Sequence, residues 1–424
     1  MVNVASIFST LGNPNSLIPL AVKDLSATAG MTAGSFVTGK EEGQDRFIDE
    51  MGTEIIWLLG IPAFKWIFDK TVFKALGLDS NFDARNLKDK DLFEKIKQYS
   101  PSEEVKKSID KIGSKQKLFK NVAMSKFFVA TGLTIASYVA LTQFKQNYTA
   151  KKIRENLIAE YKVQTEDKNT QKEIKATSPS FKGLGNVFES FAFSPVKNMW
   201  ILDGAITAAR LKDSRSPQEF IGYSIKEAST LLFMYYAGGK IQELLENRAA
   251  KNGKSISLDA RVLENDILKK SFEDKSIIKA LEDFNSAKKD TLNLYEFLHK
   301  NPDNLVVKVA KMSDTIALYK DTNKIDTRKF IDLAEVEGIG KKIENLYKNY
   351  NEALERGLTS DKFFEGVKKL KRKAIVTNIG TCILALGVVT PAIMLAKRLS
   401  GKDDTEFQTK KEIREQLIKE GVIA

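Results

Sequence analysis

Two glutamates are placed where a carboxylate could do chemistry. Glu54 and Glu227 each stand directly ahead of an uncharged run, residues 55–64 and 228–239. An ionisable side chain at membrane depth is costly to hold and is by default a candidate for proton or cation handling. The plainer account is a carboxylate at the headgroup boundary, which Lys226 beside Glu227 suits. Asp203, inside the mainly apolar stretch 199–209, is a third candidate acid.

Other chemistries are scarcer. Cys382 is the one cysteine and His299 the one histidine. An internal disulfide, a cysteine cluster and a two-histidine zinc site are therefore excluded, and a Ser-His-Asp arrangement would hang on a single residue. No metal site and no cofactor is expected. Gly253-Lys254-Ser255 resembles the end of a phosphate loop, but Arg248 stands where that loop needs glycine. Gly338-Ile339-Gly340-Lys341 has the composition of a helix-hairpin-helix turn. One such match without a second hairpin reads better as a turn between two ordinary helices, so nucleic acid is disfavoured as a partner. Nothing here points to an enzyme.

These candidates need elements to position them, and the longest uncharged runs supply the frame. Residues 374–396 carry no charge across twenty-three positions, with Lys368, Lys369, Lys371, Arg372 and Lys373 before them and Lys397 and Arg398 after. At 1.5 Å per residue such a helix can cross a hydrocarbon core about 30 Å thick. Residues 127–144 form a second uncharged run of eighteen, also collared by lysines. Within it Gly132, Ala136 and Ala140 fall four apart, a small-residue stripe suited to close helix contact in lipid. Asn378, in the longer run, could bond a neighbouring helix. The runs after Glu54 and Glu227 are too short for an independent crossing and suit re-entrant or interfacial helices.

The chain also repeats itself. Phe8-x-x-Leu11-Gly12-Asn13 is answered by Phe181-x-x-Leu184-Gly185-Asn186. Phe47-Ile48, Glu54 and Leu58-Leu59 recur with the same spacing as Phe220-Ile221, Glu227 and Leu231-Leu232. The closing block 153–160 matches 413–420 at six of eight positions. In those two helices Ile153 and Leu157, like Ile413 and Leu417, form apolar stripes that need burial.

The expectation is an all-α integral membrane protein built by tandem internal duplication, with two to four membrane segments plus charged amphipathic helices. The first half covers 1–163, with a short apolar segment at 47–73 and a span at 127–144. A polar linker covers 164–180. The second half covers 181–424, with a short apolar segment at 219–240, a soluble helical insertion at 241–365 and a span at 374–396. Four membrane segments with both termini cytoplasmic are favoured over two with inverted halves.

Apolar residues make up 42% of the chain and charged residues 29%, with a net charge of +12. Basic clusters beside apolar spans favour the bilayer and its anionic headgroups as partners, with a protein partner or a second copy also open. The uncharged but proline-broken N-terminus reads as no cleaved signal, and the location as the cytoplasmic membrane. The functional expectation is a non-catalytic membrane scaffold or interaction protein. The alternative is a small transporter or pore with its site between the halves, with a membrane enzyme or a nucleic-acid binder less favoured.

Overall fold

A computed structural model describes residues 4–13, 16–162, 194–214, 217–399 and 405–423. The polar linker and the Phe181 motif lie outside them. Among the described residues the chain is all-helical, and its one β feature is an isolated antiparallel bridge between Leu318 and Ile325. Three helices are long and apolar enough to cross a membrane: Gly43–Leu76, Gln116–Tyr161 and Ser360–Lys397. The second and third contain the two long uncharged runs. The first extends what the sequence presents as a short segment. Pro62 sits inside the Lys40–Phe68 helix, and the coil continues through a π-helical turn at Asp69–Phe73 to Leu76.

The chain forms two compact units, each drawing on both ends of the sequence. One comprises Met1–Pro19, Lys65–Phe127 and Ala237–Thr381. Its short amphipathic helices follow from apolar spacing and capping. Asp89 caps Lys90–Gln98, and Ser102 caps Glu103–Ser114 through the Val105 amide. Their buried faces are Phe93 and Ile96, then Val105, Ile109 and Ile112. Farther along, Phe272, Tyr350, Phe363 and Phe364 pack ring against ring at centroid distances of 5.4–5.8 Å.

The glycine motif at 338–341 makes no turn. It lies inside one unbroken helix, Leu333–Glu355. Gly340 is there because a Cβ would come within 2.7 Å of the Phe284 ring, so close helix approach, and not a hairpin, explains it.

His299 belongs to the same unit, stacked on Tyr99 at 4.7 Å and packed against Tyr295 at 4.8 Å. Burial, with the Lys311 ammonium nearby, pushes its imidazole down to about 4. A histidine held neutral when folded contributes stability that is complete above its unfolded value near 6.5 and is lost as pH falls through 4. Relative to a His299→Gln variant, the protein is therefore expected to lose about 3 kcal/mol between pH 7 and 4. Parallel urea titrations check this, and identical pH profiles would refute it.

Candidate functional site

The second unit comprises Leu20–Phe64, Phe128–Tyr236 and Cys382–Ala424. Two helical hairpins and the long helix Gln116–Lys162 build its centre. The first hairpin is Ile18–Thr38 joined through Gly39 to Lys40–Phe68; the second is Pro195–Lys212 joined to Pro217–Leu231. Contact registers show each pair to be antiparallel. Asp24 faces Glu54 while a Cβ on Gly43 would meet Phe36, and Asp203 bonds Tyr235 while Arg210 bonds Glu227. Lys40–Phe68 also lies antiparallel along Gln116–Lys162. Asp45 bonds Thr149, Lys145 stands 3.5 Å from Asp49, Gly52 abuts Leu141 and Gly60 abuts Thr134. Glycine lets these backbones approach closely enough to lock the register.

Lys40–Phe68 is amphipathic the wrong way round for water. Arg46, Asp49, Glu50, Glu54 and Trp57, spaced along one face, are buried, whereas Phe47, Ile55 and Leu59 are exposed. In its apolar window only 17% of positions are covered by the protein, and in the other two candidate spans 33%. An apolar face left this exposed is uncommon on proteins surrounded by water.

The buried face carries a closed ionic network. The Arg210 guanidinium donates from Nε to the Tyr138 hydroxyl at 3.0 Å and from Nη2 to Thr53 Oγ1 at 3.0 Å. Its Nη1 donates to Glu227, and its Nη2 lies 3.5 Å from Asp49 Oδ2. Lys226 Nζ donates to Glu50 Oε2 at 2.6 Å and stands 3.2 Å from Glu227 Oε1. Arg46 flanks Asp49 at 3.8 Å and Glu50 at 3.5 Å, and Lys145 adds contacts to Asp49 and Asp45. Four acids thus meet four bases, so the network is formally neutral. Buried charges survive only with such pairing.

The three candidate acids part company here. Glu227 is neutralised by Arg210 and Lys226. Glu54, 3% exposed, has the carboxyls of Asp24 and Asp203 for neighbours. Its Oε1 is buried without a hydrogen-bond partner. Sequence reasoning missed Arg46, Asp49, Glu50, Tyr138, Lys145 and Arg210. The signal was the i, i+3, i+4, i+7 spacing of Arg46, Asp49, Glu50 and Thr53 opposite an apolar face.

The remaining candidates are placed as follows. Gly132, Ala136 and Ala140 lie on the exposed side of Gln116–Lys162; the face packed within the unit is Ala130, Thr134, Tyr138 and Thr142. Asn378 is half-buried. Ile153, Leu157, Leu417 and Ile423 form one buried cluster with Ile413 packed against it, and Arg154 pairs with Glu420 at 2.8 Å.

Among the described residues the fold is all-helical, with three apolar helices of membrane-crossing length and, within the second unit, a buried, charge-balanced network. Comparison with protein families, curated proteins and solved structures finds no match.

Proposed function

We propose that this chain is a non-catalytic integral membrane scaffold or interaction protein. Its apolar helices hold it in the bilayer and its basic helices engage anionic headgroups. The observation that carries the reading is the inverted helix Lys40–Phe68, with its charges neutralised inward and its apolar side chains turned outward. Lys115, Lys117 and Lys120 before one span, and Lys368, Lys369 and Lys373 before another, supply cations that anionic lipid would favour by about 1 kcal/mol each near the surface. The two antiparallel hairpins, with Glu54 and Glu227 at matching places, support descent from a duplicated unit.

Membrane fractionation tests the reading. The full chain is expected to stay in the pellet through an alkaline carbonate wash and to leave it only with detergent. Release by carbonate alone would sink the proposal.

A small transporter or pore is the second reading, favoured by one observation: Glu54 lacks the neutralising bases that hold Glu227. Ion flux in proteoliposomes carrying Glu54→Gln and Glu227→Gln separates the two. Unchanged flux in folded variants removes the transporter.

A further inference from the structure

The two charged segments of the chain are bonded to each other. Residues 77–115 lie between the candidate spans Gly43–Leu76 and Gln116–Tyr161, and residues 252–359 lie ahead of the third, Ser360–Lys397. The Asp83 amide donates to the Arg328 carbonyl at 2.8 Å, and the side-chain amide of Asn86, 2% exposed, donates to the same carbonyl at 3.2 Å. Lys95 Nζ donates to Glu296 Oε2 at 2.6 Å, and the Tyr99 ring stacks on His299 at 4.7 Å. Segments held together in this way must share one face of a bilayer.

The order of the chain turns that contact into a count of crossings. Gln116–Tyr161 carries the chain away from the face that holds 77–115, so it must cross back an odd number of times before residue 252. A second set of contacts demands the same count without using the first. Beyond the two long uncharged runs, Leu157 packs with Leu417, and Arg154 pairs with Glu420 at 2.8 Å, which puts 153–161 and 413–423 on one face too. Ser360–Lys397 supplies one crossing between those two stretches, and a return to the starting face needs one more.

We infer that the helix running from Pro217 to Lys251 is a fourth crossing, so that both charged segments face one side of the membrane and the two halves enter it in the same orientation. The inference rests on the membrane reading proposed above. The sequence from 164 to 193 holds no uncharged run long enough to cross. Pro195–Lys212 and Pro217–Leu231 form an antiparallel hairpin, so crossings by both would cancel and only one restores the count. The second is the longer, continuing through a π-helical turn at Leu232–Ala237 into Gly238–Lys251. Between Phe220 and Gly239 its only charges are Lys226 and Glu227, both buried and paired inward with Glu50 and Arg210. At 1.5 Å per residue this stretch covers about 30 Å, the thickness of a hydrocarbon core. Phe220, Ile221, Leu232 and Tyr236 are exposed along it. The uncharged run after Glu227 is short only because it is counted from two charges that lipid never meets.

The test places single cysteines at exposed positions of the full chain in a Cys382→Ser background. They are labelled with a membrane-impermeant maleimide in sealed vesicles of one orientation, before and after permeabilisation. Asp91→Cys and Lys279→Cys are expected to label from the same side, and Asp213→Cys and Glu412→Cys only from the other. Opposite sides for Asp91→Cys and Lys279→Cys, or one side for Asp213→Cys and Lys279→Cys, would overturn the fourth crossing while the protein still resists carbonate. Release by carbonate, with all four cysteines labelled from one side, would instead remove the membrane reading beneath it.

Discussion

Replacing Arg210 with Met is expected to destabilise the protein by about 3–5 kcal/mol, the usual cost of removing one partner from a buried ion pair. Arg210 is 3% exposed at its side chain and touches Tyr138, Thr53, Asp49, Glu50 and Glu227. Without it, Glu227 keeps only Lys226, Asp49 keeps Arg46 and Lys145, and the net charge of the buried set becomes −1. Arg210→Lys should recover part of the loss, because an ammonium restores the charge but cannot serve a hydroxyl, a threonine and two carboxylates in one plane. Unfolding in detergent, monitored by helical circular dichroism, gives the measurement. A variant as stable as wild type would mean that the network does not hold the hairpins together. A double-mutant cycle with Glu227→Gln should show strong coupling, since the two side chains are directly bonded.

The second large effect is expected at Gly30. A Cβ there would sit 2.1 Å from the Gly387 carbonyl oxygen and 2.8 Å from Pro391, and a Cβ on Gly387 would meet the Ser26 carbonyl at 2.9 Å. The obstacle at Gly30 is backbone, which cannot rotate away as a side chain can. Gly387 lies in a π-helical turn, Ala385–Val389, so the crossing uses a widened coil on one side and a bare glycine on the other. Gly30→Ala is expected to cost about 1–3 kcal/mol through overpacking, and Gly30→Leu more. Gly34 is the control on the same helix, its nearest neighbour at 4.0 Å. There Gly34→Ala should be neutral or slightly stabilising, because alanine is the better helix former by about 1 kcal/mol. Equal losses at both positions would refute the close crossing.

Much of the fold was legible because it rests on periodicity and on the absence of charge. The runs at 127–144 and 374–396, the capped helices beginning near Lys90 and Glu103, and the helices between 260 and 355 all follow from local pattern. The helix through Glu54 was harder. Counting uncharged residues stopped it at Lys65, whereas the helix runs through Pro62 and on to Leu76. Its polar face also reads as a solvated approach until Arg210 and Lys226, far away in sequence, arrive to pair with it. Glu54 and Glu227 could be picked out from their place ahead of apolar runs, but nothing local said that one would be neutralised by bases and the other would face acids. The glycines of 338–341 suggested a turn because sequence cannot distinguish a glycine needed for φ from one needed for close approach.

The order in which the chain is made gives the ionic network a timing problem. Arg210 follows Asp49 by 161 residues, and Lys226 follows its partner Glu50 by 176. At synthesis rates of about 5–20 residues per second, the first hairpin waits roughly 10–30 s before its counter-charges exist. During that interval Asp49 and Glu50 have Arg46 and then Lys145 to lean on, but not the guanidinium that closes the set. The pairs with Arg210 and Lys226 therefore cannot form until the second hairpin has been made, roughly midway through synthesis of the 424-residue chain. The first hairpin is a complete element by its backbone and an incomplete one by its charge, and the two hairpins become stable only as a pair.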